Sequence, residues 1–282
     1  MEIIIGKTAG FCFGVKNAVD NTIKELETEK EVYCLGELVH NKQVTEELIS
    51  HGAKFIENIE EARNEVIIRA HGVPKETYEK AEKLNLEIKD LTCPKVLKIH
   101  SIAEEYSNKK YFIFLIGQKE HPETIGTISF CTSGASIIEK SEDIEKAIQS
   151  FDESKLNQAL VIAQTTFSLE KFNNIVEKLK EKIKNLEVKN TICNATKTRQ
   201  METEKIAQSV DIMIIVGGKH SSNSNKLYEI AKKNCNQVLF IETKTELNFT
   251  KIKNAQKIGI MAGASTPQKS VQEVVDIIRK IC

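Results

Sequence analysis

GFCFGVKNAVDNTIKEL (residues 10–26), LTCPKVLKIHSIAEEY (91–106) and TICNATKTRQMETEKIAQ (191–208) read as three copies of one design. In each, an extended segment ends on a cysteine, Cys12, Cys93 or Cys193, and the chain then takes up the apolar spacing of an amphipathic helix. After each helix comes a short apolar run, a glycine and a polar turn: EVYCLGELVHN (31–41) with His40, KYFIFLIGQKEHPE (110–123) with His121, and VDIMIIVGGKHSSNSN (210–225) with Ser221, Ser222 and Asn223. A second strand-like run then leads into another polar turn and a helix start: VIIRAHGVPKE (66–76) with His71, LVIAQTTFSLE (160–170) with Thr165, and IGIMAGASTPQKS (258–270) with Ser265. The third of these turns is offset by one residue when Pro267 is set against Pro74. Any α/β chain alternates strand, loop and helix; the recurrence of all three features in one order marks an internal repeat.

The repeat predicts an α/β fold of three related lobes in pseudo-threefold arrangement, spanning 13–93, 94–193 and 194–282, with residues 1–12 and the C-terminal helix packing on the third. Loops past the carboxyl ends of parallel strands are where open α/β sheets take ligands, and helix N-termini there offer free N–H groups to anions. Every polar residue singled out above falls in such a loop.

With 282 residues, 40% of them hydrophobic, the chain exceeds the usual single-domain size. Its 40 basic and 40 acidic residues cancel without segregating into halves, so the field that draws proteins to nucleic acid or membrane is missing, and a small-molecule substrate fits better. Apolar runs such as Tyr111–Ile116 are strand-sized; neither a signal peptide nor a membrane span is read. Seven cysteines, an odd number in a chain without a secretory signal, point to a reducing cytoplasm and away from a disulfide framework. Cys34, Cys131 and Cys235 read as buried or incidental thiols, and Cys282 as a frayed terminus.

Cys12, Cys93 and Cys193 lack the close spacing of local zinc or ferredoxin sites, so only the fold can join them. Three thiolates suit an iron–sulfur cubane with one open iron or a catalytic zinc with one open position; buried structural thiols are the bland alternative. Neither a GxxxxGK[ST] phosphate loop nor a GxGxxG nucleotide fingerprint is present.

AGFCFGV, ELVHN, RAHGVP, LTCP, HPETIGT, AQTT, TICNATKTRQ, SSNSNKL and GAST run in order from the Cys12 region to Thr266, and together the chain resembles the 4-hydroxy-3-methylbut-2-enyl diphosphate reductase family. The resemblance implies a [4Fe-4S] cluster held by Cys12, Cys93 and Cys193 at the centre of the three lobes, with the substrate hydroxyl at the open iron. It implies Glu123 as proton donor, with Thr165 beside the substrate hydroxyl as orienter or relay. His40, His71, His121, Ser221, Ser222, Asn223 and Ser265 match residues that contact the diphosphate. The implied reaction is reductive dehydroxylation to isopentenyl and dimethylallyl diphosphates, fed by a donor such as ferredoxin or flavodoxin. Ala9, Phe13 and Thr266 depart from the commoner family residues without removing any of these groups, and His51, His100 and His220 receive no role.

Overall fold

A computed structural model describes residues 1–28, 31–152, 156 and 158–281; Cys282 lies outside the described residues. Three four-stranded sheets carry the fold, and every strand pairing in them is parallel. The chain opens with β1 (Glu2–Ile5) and helix α1 (Phe13–Leu26), then builds the first sheet from β2 (Tyr33–Leu35), α2 (Lys42–Ser50), β3 (Lys54–Ile56), β4 (Glu65–Ile68), α3 (Lys75–Lys83) and β5 (Glu87–Asp90). Helix α4 (Pro94–Asn108) leads to the second sheet: β6 (Phe112–Ile116), α5 (Pro122–Ile128), β7 (Ala135–Ile138), α6 (Ile144–Gln149), β8 (Ala159–Ala163), α7 (Leu169–Lys182) and β9 (Leu186–Val188). The third follows α8 (Asn194–Ala207), with β10 (Ile212–Val216), α9 (Ser222–Asn234), β11 (Val238–Ile241), α10 (Phe249–Ile252), β12 (Lys257–Ala262) and the final helix α11 (Gln268–Ile281).

The strand orders are β3-β2-β4-β5, β7-β6-β8-β9 and, read from the other end, β11-β10-β12-β1. The sheets are therefore topologically identical, with the N-terminal strand standing in the third where β5 and β9 stand in the first two. The three related α/β units inferred from the sequence are present as these three sheets. In each, strand order reverses between two central strands, and such a switch point opens a crevice beyond the strand ends.

Central strands read as unbroken apolar runs because both of their faces are covered. Phe112, Phe114 and Ile116 of β6 point into one core with Val161 and with Phe172, Ile175 and Leu179 of α7. The alternate residues Ile113 and Leu115 point into another with Ile99, Ala103 and Tyr106 of α4. The third sheet repeats the division, Ile212, Ile214 and Ile260 facing Val271, Val274 and Ile278 of α11 while Met213, Ile215 and Met261 face Ile206 and Leu227. Truncating the fully buried Phe114 to alanine is expected to cost about 3–5 kcal/mol of stability, read as a lowered denaturation midpoint.

Two compact units result: Met1–Lys16, Val39–Glu47 and Asn194–Cys282 in one, Asn17–Leu38 and Leu48–Cys193 in the other. The first holds the third sheet, the second holds the first two. Among the described residues no helix is long and apolar enough to cross a membrane.

Candidate functional site

The polar residues singled out in the sequence lie at the switch points, in the loops after β2 and β4, β6 and β8, or β10 and β12, or, for Glu123, Ser222 and Asn223, in the first turn of the helix that follows. The three cysteines occupy equivalent places. Each follows the fourth strand of its sheet and immediately precedes a helix, α1, α4 or α8. Each backbone N–H donates to a carbonyl in the neighbouring switch-point loop: Cys12 to Ala264, Cys93 to Ala70 and Cys193 to Thr165, all at 3.0 Å. All three are partly exposed thiols outside any disulfide, and each sits against a helix N-terminus, where partial positive charge suits an anionic sulfur ligand. Thiols of this kind are donors that a soft metal centre takes as thiolates. Cys34 is buried, and burial pushes both its thiol and that of Cys131 up to about 12, which keeps them protonated and inert.

In the unit built from the first two sheets, His121 and Glu123 open α5. The His121 Nδ1 accepts the Glu123 backbone N–H at 3.1 Å and so caps the helix, which leaves the neutral ring its proton on Nε2, the nitrogen able to donate. Pro122 at the first helical position costs nothing, since its missing N–H would have had no helical partner. Glu123 is 2% exposed. Its Oε1 accepts the Thr165 backbone N–H and its Oε2 the Thr165 hydroxyl, both at 2.6 Å. Burial raises its pKa from 4.5 to about 7; the two Thr165 hydrogen bonds pull the other way and only moderate the rise. His71 stands with its ring edge toward the His121 ring, centroids 5.5 Å apart.

His100, given no role from the sequence, proves to be a neutral wedge in this unit. Its ring stacks on Phe130 at 4.5 Å and fills the space that a side chain on Gly72, next to His71, would need. Burial lowers its pKa to about 4.

In the unit of the third sheet, Ser221 caps α9, its hydroxyl accepting the Ser224 N–H, and Ser222 and Asn223 form the first turn. All three are buried, and both polar atoms of the Asn223 side chain are enclosed without a hydrogen-bond partner among the described residues. Leaving a buried amide unsatisfied costs about 1–3 kcal/mol, and the free N–H groups of a helix N-terminus suit an anion. Ser265 donates its hydroxyl to the His40 carbonyl at 3.0 Å. Gly218 makes that approach possible, since a Cβ there would stand 2.8 Å from the same carbonyl oxygen. Gly218→Ala is therefore expected to displace the His40 loop and weaken anion binding several-fold with little change in kcat, read by steady-state kinetics. His220 is exposed and joins none of these contacts.

Sequence spacing missed some equivalences. Strand register and turn positions match His71 with Thr166 and Ser265, placing Thr165 one residue earlier, where Ala70 and Ala264 stand in the other sheets. The first repeat carries an extra residue in both of its switch-point loops: α2 starts after Asn41, whose side chain accepts the Val44 N–H, whereas α5 and α9 start directly after His121 and Ser221. The capping side chain of Asn41 was the available signal.

Fold and site together define a three-sheet α/β protein that presents helix-seated thiols, one buried carboxylic acid of raised pKa and a helix start carrying a buried, unsatisfied amide at its switch points. The family profile described as "LytB protein" matches residues 3–279, and the chain belongs to that family. It is 42% identical over 287 residues to the 4-hydroxy-3-methylbut-2-enyl diphosphate reductase of Caldanaerobacter subterraneus, covering 100% of this chain and 98% of that one. To the reductase of the same name from Aquifex aeolicus it is 39% identical over 288 residues, covering 100% and 97%. Among solved structures, the E-1-hydroxy-2-methyl-but-2-enyl-4-diphosphate reductase of Plasmodium falciparum superposes with a TM-score of 0.92 at 32% identity, over 98% of this chain and 87% of that one. A second, described as (E)-4-hydroxy-3-methyl-but-2-enyl diphosphate reductase, the terminal enzyme of the non-mevalonate pathway, gives 0.73 at 38% identity over 99% and 100%.

Proposed function

We propose that this chain reduces 4-hydroxy-3-methylbut-2-enyl diphosphate to isopentenyl and dimethylallyl diphosphates with release of water. The observation that carries the reading is the Glu123–Thr165 pair, a buried carboxylic acid half-protonated near neutral pH and bonded to a hydroxyl, in a member of this family. The overall change takes two electrons and two protons per substrate; the C–O bond breaks and the oxygen leaves as water.

Cys12, Cys93 and Cys193 would hold a [4Fe-4S] cluster, which supplies single electrons and a Lewis-acidic iron for the departing hydroxyl. The remaining work falls to the protein. With Glu123 ionised, the Thr165 hydroxyl donates to it. With Glu123 protonated the bond reverses, and the Thr165 proton is free to turn to the substrate oxygen, so that the pair delivers a proton where water must form. His40, His71, His121, Ser221, Ser222, Asn223 and Ser265 hold the diphosphate through ring N–H, hydroxyl, amide and backbone donors. The lobes are taken as residues 13–93, 94–193 and 194–282, with 1–12 joined to the third. A one-electron donor of the ferredoxin or flavodoxin kind would supply the electrons.

The test is anaerobic turnover with a chemical reductant. Both five-carbon diphosphates should form, in step with loss of the alcohol. An iron–sulfur-loaded protein that binds the alcohol and leaves it unchanged would contradict the proposal.

A further inference from the structure

Of the three cysteines, Cys12 has the longest approach. Leu91 and Thr92 alone separate β5 from Cys93, and Lys189–Ile192 separate β9 from Cys193, whereas residues 6–11 separate β1 from Cys12. A longer loop has more conformations to lose, so fixing its last residue costs more entropy. The shorter approaches are tied locally. Thr92 donates its N–H to Asp90 at 2.9 Å, and the Thr191 hydroxyl both donates to the Ala163 carbonyl and accepts the Ala163 N–H.

The loop before Cys12 has one local bond, from the Ala9 N–H to the Gly6 carbonyl at 3.0 Å, and is tied further by α8. Glu202 accepts the Lys7 N–H at 2.7 Å on one oxygen, and the Thr8 N–H at 3.0 Å and Thr8 hydroxyl at 2.5 Å on the other. One turn earlier on the same helix face, Arg199, 4% exposed, donates its Nη2–H to the Gly10 carbonyl at 2.7 Å. Gly10 has φ +106°, a left-handed backbone conformation that glycine adopts without strain. Burial pulls the Glu202 carboxyl upward, but the bonds from Thr8 and Lys7 outweigh it and hold the group below its ordinary range, so the ties are charge-assisted. All of these groups belong to one compact unit.

We infer that Glu202 and Arg199 are positioning residues that clamp the 6–11 loop and thereby hold Cys12 ready as a ligand. Helix α8 is in this way tied to two of the ligand cysteines, since its first residue follows Cys193 and its Arg199–Glu202 face grips the approach to Cys12. The inference rests on Cys12 being a cluster ligand, as proposed above.

Two rates test it in Glu202→Ala and Arg199→Met, with Met201→Ala, an exposed neighbour on α8, as control. In the metal-free protein, alkylation followed by peptide mapping should find Cys12 reacting roughly tenfold faster in the variants, because bonds to a charged group are lost, while Cys93 and Cys193 react as in the wild type. In the loaded protein, iron loss to a chelator should quicken by a similar factor, with Arg199→Lys largely restoring the wild-type rate. A general loosening of the fold would speed all three cysteines together and overturn the inference, as would unchanged rates at Cys12. A wild type that takes up no iron and sulfide would sink the reductase reading instead, and the alkylation pattern would still decide whether the clamp exists.

Discussion

Glu123→Gln is expected to lower kcat by about 10²–10⁴-fold, the range for loss of a positioned general acid, with KM changed far less. The amide keeps the size of the side chain, and its oxygen can still accept from Thr165, so binding geometry survives while the proton supply does not. The pH profile provides the sharper signature. Glu123 must be protonated to donate, and burial has brought its pKa to about 7, so wild-type kcat/KM should fall as pH rises through that value. The residual activity of Glu123→Gln should lack this limb. Retention of the limb in the variant would assign the proton to another group.

Cys93→Ser is expected to abolish turnover and to bleach the broad absorption near 400 nm that accompanies iron–sulfur charge transfer. Serine preserves the N-cap position ahead of Pro94, and a hydroxyl is a good helix cap, so α4 should keep its stability and circular dichroism should be unchanged. What changes is the ligand, from a soft sulfur to a hard oxygen. Wild-type turnover by a colourless Cys93→Ser protein would remove the cluster from the account.

Two buried groups give stability opposite slopes with pH. Glu123 has a folded pKa above the unfolded 4.5, so its contribution is full below about pH 4.5 and is lost as pH rises toward 7. His100 has a folded pKa of about 4, below its ordinary 6.5; its contribution is full above 6.5 and is lost as pH falls toward 4. The two windows overlap, so the slopes offset each other in the wild type: denaturation midpoints of His100→Phe, which keeps the ring stack on Phe130, should fall as pH rises from about 4.5 to 7, and those of Glu123→Gln should fall as pH drops from about 6.5 to 4.

Much of this could be read from the chain because the repeat is written in local signals. Glycine after a buried run, a polar cap and a cysteine before a helix survive as short words in each copy, and the sheets form where those words place them. Register was harder. The offset between Pro74 and Pro267 belongs to an extra residue in the first repeat, and only strand pairing matches Thr166 with His71 and Ser265. Long-range ties were illegible. Nothing in TKTRQMETE announces that Arg199 and Glu202 grip residues near the other end of the chain, because the partners of Glu202 and Arg199 are mostly backbone atoms, which every residue possesses. His100 likewise reads as an ordinary helix residue until Gly72 and Phe130 are brought beside it.

Mössbauer spectroscopy of the anaerobic protein loaded with isotopically enriched iron tests the central claim most directly. Three cysteines for four irons predict two populations in a ratio of about three to one, with the minor one alone shifting when the allylic diphosphate is added. Four equivalent irons indifferent to substrate, or a full complement of iron in a protein lacking Cys12, Cys93 and Cys193, would contradict it.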